Sequence, residues 1–111
     1  MIMTTIIFSK DKDGSYKQLI CQGHAGFRRA GRDVVCAAIS ALVINTTNAM
    51  EELVGEQFSC VTNQKDGFMR FDFETPLQEK SIILMDALVL GLTNIQKEYG
   101  NKYLQVKFEE V

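Results

Sequence analysis

Residues 16–22, YKQLICQ, alternate in polarity: Leu19 and Cys21 share one face, Gln18 and Gln22 the other. A period of two marks a strand with one buried side. Residues 2–8, IMTTIIF, are rich in β-branched side chains, and the polar run SKDKDGS, closed by Gly14, joins the two stretches as a hairpin. The period then changes. A loop at 23–33 carries Gly23, Gly26 and Gly31, and Asp33 stands where an N-cap belongs, its carboxylate placed to accept from a free amide of the first helical turn. From Val34 a helical pattern runs to about Leu53, with Val35, Ile39, Leu42, Ala49 and Met50 near one apolar stripe. Gly55 is placed to end it in the left-handed conformation.

A second hairpin comes next, QFSCVTN at 57–63 and FMRFDFE at 68–74, turning around Asp66-Gly67. Met69, Phe71 and Phe73 alternate with Phe68, Arg70 and Asp72, so one face is strongly apolar. Pro76 sits near the start of a second helix over 77–98, in which Ile82, Met85, Val89, Leu92 and Ile95 recur every three or four residues. Gly100-Asn101 breaks it, and KYLQVKFEE at 102–110 is a last alternating strand. The order ββαββαβ predicts an α+β two-layer sandwich, a mostly antiparallel sheet with two long helices on one face. The loose ββα echo between the halves is too weak to be a repeat.

Composition narrows the class without choosing the function. The 111 residues suit a single domain over 1–111, and 46% hydrophobic with 23% charged residues is ordinary for a globular chain. A net charge of −2 gives no global pull toward nucleic acid or membrane. No run approaches the ~18 uninterrupted apolar residues of a membrane span, and the N-terminus lacks the basic start and cleavage site of a signal peptide. Three cysteines are an odd number with no C-x-x-C pair, so the thiols are expected reduced and the compartment cytoplasmic.

The chemistry gathers at 23–40, GHAGFRRAGRDVVCAAIS. Cys36 lies just inside the predicted helix start, where free amides and the helix dipole favour an anion; as a plain core residue it would simply be a small hydrophobe. His24, the only histidine, suits the partner role: an imidazole can take a thiol proton and later protonate a leaving amine. Ser40, at i+4 from Cys36, shares its helix face and could hydrogen-bond near the thiol or merely pack. Asp33 could orient His24, but its cap role explains it without catalysis and is the preferred reading. Gly23 and Gly26 could let a peptide backbone come close, could donate amides to an oxyanion, or could only permit the turn. Cys21, His24, Cys36 and Cys60 would suffice in number for a zinc site, but only one closely spaced pair exists and strand alternation turns Cys21 inward, so no metal is expected.

Gly23-His24-Ala25, a loop, then Gly31-x-Asp33-x-Val35-Cys36-Ala37-Ala38-Ile39-Ser40 resembles the signature of the ribosomal-processing cysteine protease (Prp) family. Chain length, element order and a C-terminal helix followed by a strand are similar too. The resemblance implies a small cytoplasmic homodimer without cofactor. It implies a substrate as well: the N-terminal extension of the twenty-seventh large-subunit ribosomal protein, cut after an aromatic pair. Carried onto this sequence, it makes Cys36 the nucleophile and His24 the general base and proton donor, with Asp33 and Ser40 as possible support. The basic loop interior, Arg28, Arg29 and Arg32, is not part of the pattern. It reads as a solvated face, while the competing reading of the chain is a non-catalytic ribosome-assembly or RNA-associated module using those arginines.

Overall fold

Leu19 and Cys21, placed on one face by strand alternation, are at most 1% exposed, whereas Gln18 and Gln22 on the other face are not buried. In the computed structural model, residues 4–23, 32–63, 65 and 67–111 are described, with the side chains of Arg32 and Asp33 left outside. Two strands, β1 (Thr4–Lys10) and β2 (Tyr16–Gln22), form the first hairpin. Helix α1 (Arg32–Ala49) continues into a π-helical turn, Met50–Val54. A second hairpin, β3 (Ser59–Asn63) and β4 (Phe68–Asp72), precedes α2 (Glu79–Tyr99) and β5 (Leu104–Glu110). The predicted order ββαββαβ is the observed one.

The five strands lie in the order β3-β4-β2-β1-β5. All neighbours are antiparallel except β1 and β5, whose parallel pairing runs from Thr4↔Leu104 to Lys10↔Glu110. Helix α2 makes that pairing possible, because a parallel neighbour needs a long crossover instead of a tight turn. Register carries one row across the sheet, buried from Ile6 through Cys21 to Met69, with the half-buried Val106 beside Ile6. A second row joins Phe8, Leu19 and Phe71. From α1 the core receives Val35, Ile39 and Val43, with Met50 from the π turn.

In α2 most of the expected stripe turns inward: Met85 and Leu92 are fully buried, and Val89 and Ile95 pack half-buried against the core. Ser81, Met85, Leu88 and Leu92, spaced i, i+4, i+7 and i+11, face the core, whereas Ile82 is 40% exposed. Neighbouring residues on a helix point about 100° apart, so a stripe begun one residue late misses Leu88. The N-terminus of α2 is satisfied from afar: Gln78 makes no side-chain cap, and its amide donates to Oε1 of the buried Glu56 at 3.0 Å. Tyr16 on β2 ties to the same helix, its hydroxyl donating to Asp86 at 2.5 Å.

Over Val34–Val54 the mean hydropathy reaches 1.4, and by length and composition alone this 21-residue stretch could cross a bilayer. Here one of its faces lies on the sheet, while Glu51 and Glu52 stand exposed near its end. Gly55 terminates it as expected, with φ +79° and its amide bonded back to the Met50 carbonyl. A Cβ on Gly55 would meet nothing within 4 Å, so the cost of Gly55→Ala is purely one of backbone conformation. It should destabilise the chain by about 1–2 kcal/mol, lowering the calorimetric midpoint by several degrees without altering the circular dichroism of the folded state.

Candidate active site

Strand β2 stops at one end of the sheet, with Gly23 following it. Gln22, its last residue, pairs with Phe68, and Phe68 pairs with Asn63, so β2, β4 and β3 share a rim. Gly23 has φ +84° and donates its amide to the Gly67 carbonyl at 3.1 Å, keying the end of β2 to the β3–β4 turn. That left-handed geometry is a physical reason for glycine at this position. His24 comes next in sequence and lies outside the described residues, as do Gly26, Gly31, Phe27, Arg28 and Arg29.

Helix α1 begins at Arg32. Asp33 therefore has helical backbone already and does not stand at the non-helical cap position expected of it. An acidic residue in a first turn still suits the positive end of the helix dipole. Cys36, the fifth helical residue, is half-buried, and Ser40 one turn further on is half-buried as well. The far end of the helix is held by its connection to the sheet: the π turn ends at Val54 and β3 starts at Ser59, opposite Asp72. From that end α1 runs back along the sheet, which sets its N-terminus and Cys36 toward the rim where β2 stops.

The three thiols occupy different environments. Cys21 is 1% exposed, and burial, with a smaller contribution from Cys60, pushes its thiol up to about 12. Cys60 is exposed on β3, its thiol raised by partial burial of the sulfur and by the charge of Glu51. Among the described residues no group of three His, Cys, Asp or Glu side chains converges to hold a metal ion.

The shift at Cys21 has a consequence in alkali. A thiol whose folded pKa lies above its unfolded value keeps its proton in the folded chain after losing it in the unfolded one. Stability is therefore whole below pH 9 and falls as pH rises from 9 toward about 12, with a limiting slope near ~1.4 kcal/mol per pH unit. Tyr16, raised above 10 by burial and then by Asp86, adds a second loss at higher pH. Urea midpoints measured between pH 8 and 11 should decline, and Cys21→Ala should flatten the earlier part of that decline.

Sequence patterns do not reveal one feature of the site. Between α1 and β3 lies a cavity of about 280 Å³ lined by Ile44, Thr47, Asn48, Cys60, Thr62, Phe68, Met69 and Phe71. Met69 and Phe71 reach it from the helix side of the sheet. The available signal is SCVTN, an uncharged strand with no side chain long enough to protect it.

A family model described as Cysteine protease Prp matches residues 3–105. The ribosomal processing cysteine protease Prp of Bacillus subtilis is 30% identical over 103 residues, covering 89% of this chain and 90% of that protein. Among solved structures, a protein from Streptococcus mutans superposes with a TM-score of 0.90 at 31% identity, over 99% of this chain and 97% of the other. An essential ribosomal processing protease Prp from Staphylococcus aureus, in complex with a substrate peptide, has the same fold: TM-score 0.88 at 21% identity, over 96% of this chain and all of that one.

Proposed function

The chain belongs to the cysteine protease Prp family, and from that membership we propose that it is a ribosomal-processing endopeptidase. Its substrate is the N-terminal extension of the twenty-seventh large-subunit ribosomal protein, and it cuts after an aromatic pair. The observation that carries this reading is the extent of the match, residues 3–105, which includes both His24 and Cys36. The half-buried placement of Cys36 near the start of α1 supports it, because a nucleophile must be reachable and yet held.

The chemistry is acyl transfer. The Cys36 thiolate attacks the carbonyl carbon of the second aromatic residue, and backbone amides at the helix start stabilise the oxyanion. His24 gives its proton to the departing amine, leaving a thioester on sulfur. Water, deprotonated by the same imidazole, hydrolyses the thioester and restores the thiolate–imidazolium pair. The protein works as a homodimer. Apolar side chains left on its surface, among them Val34 at 62%, Ile83 at 67% and Leu90 at 63% exposure, support an association that would cover them.

Mixing the protein with its host's unprocessed ribosomal precursor and reading product masses tests the assignment. Two products whose masses place the cut after the aromatic pair are expected. An intact precursor, with the folded protein shifting RNA in a salt-dependent manner, would instead favour the binding-module reading through Arg28, Arg29 and Arg32.

A further inference from the structure

Strand β3 is an edge: β4 is its single strand neighbour among the described residues, and all five of its residues are exposed. Its sequence, SCVTN, carries no charge and no proline. Proteins usually blunt an exposed edge with lysine, proline or a bulge, because its outward amides and carbonyls invite another strand. Beside this edge lies the cavity under α1. At about 280 Å³ it suits one large side chain, and none of its lining residues carries a charge, so no lining side chain would pair with an ionised occupant.

The cavity also lies on the same ridge of α1 as the candidate nucleophile. Cys36, Ser40, Ile44 and Thr47 succeed one another at i, i+4, i+8 and i+11 on a single ridge of α1. Eight residues of helix separate Cys36 from Ile44, an axial distance of about 12 Å. An extended peptide covers that span in three to four residues, at about 3.3 Å each.

We infer that the cleft between α1 and β3 is a substrate groove: an extended peptide adds along β3 as a sixth strand, and an uncharged apolar or aromatic side chain three to four residues from the scissile bond fills the cavity. This rests on the protease reading above and extends it from the bond cut to a second recognition point. Backbone pairing along β3 supplies affinity, and the cavity selects the side chain.

The test uses peptides spanning the precursor cleavage site, each non-scissile position replaced in turn by alanine, against the wild-type protein and the variants Thr62→Arg and Ile44→Arg. Both variant positions are exposed, so folding should survive. In the wild type, alanine at the position three to four residues from the cut should lower kcat/KM by roughly tenfold, chiefly through KM. Either arginine variant should show the same loss with the parent peptide and no further loss with that alanine peptide. Flat alanine-scan responses beyond the residues flanking the cut, in a wild type that does cleave, overturn the groove and leave the protease reading standing. So does loss of activity in the arginine variants that tracks dissociation of a dimer, since the face would then be an interface between copies. A wild type that cleaves neither peptide nor precursor removes the protease reading itself.

Discussion

Cys36→Ala is expected to abolish cleavage of the precursor, lowering turnover by at least ~1,000-fold, while thermal unfolding changes little. The size of the loss reflects covalent catalysis: without the sulfur there is no thioester, and water must attack an unactivated amide directly. Cys36 is half-buried, so removing its sulfur leaves no large sealed cavity, and the fold should tolerate the change. Under the proposed Cys36–His24 pairing, His24→Ala should produce a loss of similar order, because a nucleophile and the base that activates it act as a unit and their effects do not add. The double variant should thus be no worse than the poorer single one. Product masses and initial rates at matched protein concentration read both effects. Residual turnover within about tenfold of wild type in Cys36→Ala would assign the chemistry to another residue.

The second large effect concerns the frame. Phe8 is fully buried on β1, between the antiparallel partner β2 and the parallel partner β5. Its ring stacks on Phe108 at a centroid separation of 5.6 Å and meets Tyr16 edge-on at 6.2 Å. Phe8→Ala should cost about 3–5 kcal/mol, against a total stability of about 5–15 kcal/mol for a domain of ordinary size. Urea denaturation should therefore show a large drop in midpoint with an unchanged slope. Activity per folded molecule should be preserved, since Phe8 pairs with Leu19, three residues back along β2 from the rim at Gln22. This separates the frame from the site: Phe8→Ala lowers the amount of folded enzyme, whereas Cys36→Ala lowers what each folded enzyme does.

Several elements are legible in the residues. The alternation of Leu19 and Cys21, and of Met69, Phe71 and Phe73, fixes both strands and their inward faces, since a strand has only two sides. Gly55 declares the end of the first helix, because a left-handed residue there favours the one side chain without a Cβ. The motif around His24 and Cys36 points to the family, which the match over residues 3–105 bears out. A helix offers more directions than two, and there the pattern misleads. It puts Ile82 inside and passes over Leu88, because the spacing of apolar residues in α2 fits more than one stripe.

By itself, then, the sequence determined the order of the elements, the inward faces of the strands and the family, all of which depend on neighbours along the chain. Tertiary structure alone decided which strand is left at the edge, the parallel pairing of β5 with β1, the capping of α2 by Glu56, and the cavity between α1 and β3. Each of these joins residues far apart in sequence. Glu56 meets Gln78 across 22 positions, and Ile44 lines one cavity with Thr62 only because α1 packs over the sheet to which β3 later adds. Local patterns report what a segment must bury. What it is buried against is chosen by the packing of the whole chain, where many alternatives of similar local energy are separated by the fit of one apolar face to another.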